Sequence, residues 1–165
     1  MRLFALLPLS LCLIPSSLAQ APFRAISVTP STTPVPMDQA VTYTARFDTS
    51  PGQTISFVFI TFAPWPSEPY SCKVGVAINP FDGTPQGIYL HDDQGNEFNS
   101  MPFRSGNTEE NSQCLLNASS SYVDPEATYV NVVFTLTFKS PFNGFRNLWV
   151  DAADTSSPEI GRAHV

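Results

Sequence analysis

Residues 128–138 read Thr-Tyr-Val-Asn-Val-Val-Phe-Thr-Leu-Thr-Phe. Val130, Val132, Phe134, Leu136 and Phe138 recur at every second position, and Asn131, Thr135 and Thr137 fall between them. A period of two sends alternate side chains to opposite faces of an extended strand. A helix would scatter the same apolar residues around its axis. A half-buried strand of this length obliges the chain to supply neighbouring strands and a second layer over the apolar face.

The rest of the chain meets that demand. No helical pattern lasts beyond two turns, whereas strand patterns recur at 25–30, 41–48, 54–62, 71–78, 88–92, 113–119 and 146–154. Within 41–48, Val41, Tyr43, Ala45 and Phe47 oppose Thr42, Thr44, Arg46 and Asp48. Residues 54–62 are apolar on both faces, as in a strand covered on both sides. Residues 96–103 are expected to return antiparallel to 88–92. Residues 30–36 read as a loop between the first two strands. Residues 50–53, 79–87 and 140–145 carry turn chemistry, 104–112 is a polar loop, and three prolines exclude 63–70 from a central strand. Eight or nine short strands separated by turns describe an all-β antiparallel β-sandwich.

The amino terminus has another purpose. Arg2 precedes an apolar stretch from Phe4 to Ile14, interrupted by Pro8 and Ser10, and Ser17 and Ala19 put small residues at −3 and −1 of a cleavage site. Residues 1–19 are therefore expected to be a secretory signal peptide, too short to span a bilayer, with 20–165 forming a single domain. The expected location is secreted or periplasmic, without membrane insertion. Cys12 lies in the apolar part of the leader and is expected to leave with it, since Leu11 does not fit a lipidation signal.

Cys72 and Cys114 remain. Two cysteines in an exported chain are expected to pair. The bridge closes a loop of roughly 40 residues, worth ~4 kcal/mol by chain entropy. With Arg2 removed, seven basic residues face fourteen acidic ones. That balance argues against nucleic acid and anionic membranes as partners.

Several segments together resemble an immunoglobulin-like module found as a repeat in secreted bacterial proteins. They are the Val-Thr-Pro of the first strand, the strand bearing Cys72, the Leu90-x-x-Asp93-x-Gly95 turn, and Asn111-Ser112-Gln113-Cys114. Leu136-Thr137-Phe138-Lys139 and Ala152-Ala153-Asp154 complete the series. The resemblance spans about residues 26–154. It implies that Cys72 and Cys114 are the module's paired cysteines, and it implies no catalytic residues. The chain departs from the pattern by standing alone rather than in an array, and by the acids at 92–97.

Residues 89–98 pose the sharpest question about chemistry. Asp92, Asp93, Asn96 and Glu97 offer oxygens for calcium close together, yet their spacing fails the EF-hand template. The same residues suit the tip of a hairpin, with Gly95 in the turn. A carboxylate pair for glycoside hydrolysis can be drawn from Asp92 with Glu97, or Glu109 with Glu110. There is no Gly-x-Ser-x-Gly elbow. His91 is expected to face outward from its strand, and His164 lies near the carboxyl terminus. Trp65 and Tyr70, on the Pro-stiffened loop, and Tyr89 are candidates for stacking on a sugar or anchoring a protein. The alternative for Trp65 is a cap on the core, and Trp149 is expected in the core or half-buried. Asn117-Ala118-Ser119 is a glycosylation sequon expected to be unused.

The expected function is a non-enzymatic structural or binding module at or beyond the cell envelope, needing no cofactor. A carbohydrate-binding module and a small glycan-active hydrolase are the alternatives, and the partner is expected to be a protein or a polysaccharide.

Overall fold

The computed structural model describes residues 24–31, 36–49, 55–65, 69–126, 128–142, 147–153 and 161–164. The leader at 1–19 lies outside the described residues. Among the described residues ten strands are formed: β1 (Arg24–Thr29), β2 (Ala40–Asp48), β3 (Phe57–Ala63), β4 (Cys72–Ile78), β5 (Pro85–Leu90), β6 (Thr108–Glu110), β7 (Cys114–Pro125), β8 (Tyr129–Phe138), β9 (Asn147–Ala153) and β10 (Gly161–His164). No helix occurs among the described residues.

The strands form two five-stranded antiparallel sheets, ordered β1-β2-β8-β7-β6 and β10-β9-β3-β4-β5. The order β1-β2-β8-β7 is that of strands A, B, E and D of an immunoglobulin domain, and β10-β9-β3-β4-β5 is that of G, F, C, C′ and C″. β6 extends the first sheet by one short strand. The disulfide joins β4 to β7, the C′ and D positions, rather than the B and F strands that carry it in antibody domains.

The period of two read along the chain is the one that builds the core. β8 pairs with β2 along nine residues, from Ala40↔Thr137 to Asp48↔Tyr129, so both apolar faces point the same way. Tyr43, Phe47, Phe134, Leu136 and Phe138 of this sheet meet Val58, Ile60, Phe62, Val74, Ile88 and Val150 of the other. Tyr43 stacks on Phe134 at 5.5 Å and meets Phe62 edge-on at 5.0 Å. Burial pushes its phenol up to about 12.

The strand count exceeds the expected eight or nine for identifiable reasons. Thr108–Glu110 lies in the segment expected to be a polar loop, yet it pairs with Leu115–Asn117 of β7. An exposed edge strand needs no apolar face, so Thr-Glu-Glu gives no alternation to read. β10 pairs with β9, which places His164 opposite Trp149 in register instead of in an unpaired tail. Residues 96–103 do run antiparallel beside β5, but only as isolated pairings of Ile88 with Met101 and His91 with Glu97. Pro102 removes a backbone donor there, and the segment lacks alternation.

Candidate functional site

One end of the sandwich collects the connections β3–β4, β5–β6, β6–β7 and β8–β9, together with the approach to β2. Cys72 opens β4 and Cys114 opens β7 at this end. They are bonded, with Cα atoms 5.8 Å apart and both side chains fully buried.

Asn111 joins the same strand ends by hydrogen bonds. Its Nδ2 donates to Ser71 O (3.0 Å) and His91 O (2.9 Å), and its Oδ1 accepts from Gln113 N (2.8 Å) and Cys114 N (2.9 Å). Its carbonyl accepts from Lys139 Nζ at 2.6 Å, and Lys139 also pairs with Glu110 at 3.0 Å. An amide with two donors and an accepting oxygen is the side chain that can satisfy this set when buried. The sequence offered Asn111-Ser112-Gln113-Cys114 only as a recurring string, and the geometry gives it a structural purpose.

The 91–97 turn packs against this brace. Asp92 Oδ1 accepts from Gln94 N (2.9 Å) and Asn96 N (2.8 Å), and its Oδ2 accepts from Asn96 Nδ2 (3.0 Å). These bonds, led by the Asn96 side chain, hold the Asp92 carboxyl below the usual carboxylate range. Gly95 takes a φ of 86°, the left-handed conformation that favours glycine, and donates its amide to Asp92 O. Asp93 faces elsewhere: its Oδ1 accepts from Ser112 N (3.1 Å) and Ser112 Oγ (2.8 Å). The turn therefore unites Asp92 with Asn96 and separates both from Asp93. Among the described residues, no group of three or more His, Cys, Asp or Glu side chains converges as metal ligands do. The carboxylates close a turn and tie it to the neighbouring loop.

Of the acids considered for hydrolysis, Glu109 and Glu110 are not brought into a facing pair. Consecutive strand residues point to opposite faces, which divides Glu109 from Glu110. Glu109 is half-buried, accepts from Leu90 N at 3.2 Å, and is held above its ordinary range by burial, whereas Glu110 turns to Lys139.

Two sequence expectations are corrected. Tyr89 is not an exposed stacking residue, because only 4% of its surface is accessible. It lies opposite Gly75, whose missing side chain leaves room for the ring. His91 does not face outward into solvent. It is buried beside Phe59 and Tyr89, with ring centroids 5.8 and 5.7 Å away, and its Nδ1 bonds to Gly95 O at 2.9 Å. Because a carbonyl can only accept, Nδ1 carries the proton. The Lys73 ammonium lies 4.5 Å from the centre of the Phe59 ring in the same cluster. Burial lowers the Lys73 pKa, with Asp151 and Glu97 opposing the shift. Trp149 is half-buried, as expected, and its indole N–H donates to Ala63 O at 3.2 Å.

Trp65 and Tyr70 are exposed, at 68% and 60%. Trp65 follows β3 and Tyr70 precedes β4, two strands that pair through Phe62 and Cys72. Asn147 Nδ2 holds Pro64 O at 3.0 Å, and Tyr70 N donates to Asp93 O at 3.1 Å. Tyr70 also takes a φ of 59°. That conformation is rare and costly for a bulky side chain and persists only where the surroundings impose it. The loop flanks and the acidic turn, two separate candidates in the sequence, thus meet at one end. Phe57 and Phe98 are exposed to a lesser degree, and Phe81 stands at the other end on the β4–β5 turn, 95% accessible.

Comparison with family models, with curated proteins and with solved structures yields no match.

Proposed function

We propose that this protein is a non-enzymatic, immunoglobulin-like module of the extracellular space or cell envelope that holds a partner on the aromatic loop of its braced end. The observation that carries the reading is Tyr70, a large side chain kept in solvent on a left-handed backbone beside a buried disulfide. Strained backbone that the surroundings must enforce clusters at ligand-contacting positions. Trp65 flanks the same loop, and exposed aromatics on fixed supports are the residues that dominate binding energetics.

The export reading is supported by the leader-like residues 1–19, by the resemblance to a secreted bacterial module, and by the disulfide, which suits an oxidising compartment. The non-enzymatic reading is supported by the division of Glu109 from Glu110 across a strand. Glycosidase chemistry needs one acid that keeps its proton facing one that does not.

The test is a binding screen of the oxidised protein against soluble polysaccharides and immobilised envelope proteins, run beside the Trp65→Ala/Tyr70→Ala variant. Binding that the variant loses, with its melting temperature kept, supports the reading. A ligand held equally well by both proteins overturns it.

A further inference from the structure

Among the described residues, acids outnumber cations at the end of the sandwich that carries Trp65 and Tyr70; Arg146, next to Asn147, lies outside the described residues. Asp38 sits just before β2, its amide donating to Phe138 O at 2.8 Å and its carboxylate accepting from Ser140 Oγ at 3.3 Å. Asp92 and Asp93 lie in the turn that receives the Tyr70 amide. Glu110 ends β6, opposite Leu115 and close to Cys114. Among the described residues, the cation set among these acids is Lys139, already engaged by Glu110 and by Asn111 O. Lys73 is directed over Phe59 on the outer face of its sheet.

The geometry points to a cationic protein segment, bearing Lys or Arg side chains, as the partner received by Trp65 and Tyr70; this rests on the binding reading above. An ammonium or guanidinium is attracted to the face of Trp or Tyr and to nearby carboxylates alike. A neutral sugar gains stacking and hydroxyl hydrogen bonds to the carboxylates but no ionic attraction, and an anionic polysaccharide meets like charge. The protein uses the same pairing internally, with the Arg46 guanidinium 3.7 Å from the centre of the Tyr129 ring. The formal net charge of −6 draws such a segment in from a distance.

The experiment titrates the full oxidised protein with a labelled short oligolysine peptide, with neutral xylan and with polygalacturonate, at low and physiological salt. Oligolysine is expected to bind, more weakly as salt rises, while polygalacturonate does not. Trp65→Ala/Tyr70→Ala is expected to weaken oligolysine binding at least about tenfold. Asp38→Asn/Asp92→Asn leaves one accepting oxygen at each position, gives up the bond from Asn96 Nδ2 to Asp92 Oδ2, and is expected to flatten the salt dependence. Melting curves of both variants exclude loss of fold. Absent oligolysine binding, or binding that survives loss of both aromatics, overturns the inference. Xylan bound through Trp65 in place of oligolysine also overturns it, while leaving the aromatic loop as the binding site.

Discussion

The Tyr89 ring lies over Gly75, in the space a side chain at Gly75 would occupy. The two residues are opposite one another in β5 and β4, and Phe59 of β3 closes the row, its ring 6.5 Å from that of Tyr89. A glycine in a strand interior is ordinarily a weakness. Here the neighbouring aromatic covers the bare backbone.

Gly75→Ala is therefore expected to destabilise the protein, although alanine suits a strand better than glycine. Its β-carbon overlaps the Tyr89 ring, which must turn out of its contact with Phe59 and His91. The expected loss is about 1–3 kcal/mol, the usual range for overpacking. Urea unfolding monitored by circular dichroism measures it. Tyr89→Leu in the Gly75→Ala background should recover part of the loss, because it removes the colliding ring.

Removing the disulfide tests the brace. The bridged cysteines are 42 residues apart in sequence, so chain entropy assigns the bridge about 4 kcal/mol. Cys72→Ala/Cys114→Ala is expected to lower the unfolding free energy by that order at unchanged pH. A loss below about 1 kcal/mol would mean that the hydrogen bonds of Asn111 hold the strand ends alone.

Asn111→Asp separates donation from acceptance. The aspartate oxygen still accepts from Gln113 N and Cys114 N. The other oxygen now faces Ser71 O and His91 O, where Nδ2 had donated. Buried carbonyls without a donor cost about 1–3 kcal/mol, more when a charge is beside them. The variant is expected to melt lower than wild type, and the difference should shrink as acid protonates the new carboxyl.

Stability should fall as the pH is lowered below neutrality because of His91. Burial depresses its pKa and Lys73 adds to the shift, against the opposing effects of Gly95 O, Glu97 and Asp92. The unfolded chain titrates near 6.5, so below that pH it binds more protons than the native state. The stability present above 6.5 is lost as pH falls from there toward the depressed folded value, by at most about 1.4 kcal/mol per unit. Asp92 titrates lower, below the ordinary 3.8, which separates the two effects. Unfolding at stepped pH should show this slope in wild type. His91→Asn, which can still donate to Gly95 O, should show a flatter profile between pH 7 and 5.

The sandwich was legible because its strands alternate against one another. The run at 130–138 and its partner Val41–Phe47 carry their burial in their own order, without knowledge of the partner. The Cys72–Cys114 pairing followed from an even count in an exported-looking chain. What escaped reading depends on the strand next door. Tyr89 looks free in Ile-Tyr-Leu-His until Gly75 is placed opposite it. His91 looks solvated until Phe59 and Lys73 lie across it. Asn111 looks like a loop polar residue until three strand ends converge on its amide. The acidic turn was ambiguous because a metal loop and an Asx turn use the same residues. Only the direction of the Asp93 carboxylate, toward Ser112, distinguishes their arrangement here.

On the proposed binding reading, the disulfide bears on recognition as well as on stability. A loop that must stiffen on contact loses conformational entropy at the moment of association, and that loss is subtracted from affinity. Here the covalent link and the Asn111 bond to Ser71 O hold the Tyr70 side of the loop, and Asn147 holds Pro64 O beside Trp65. On that reading a partner would meet backbone flanks already held in place. Reduction would then weaken binding even where the chain stays folded, by restoring motion to the surface rather than by changing any residue on it.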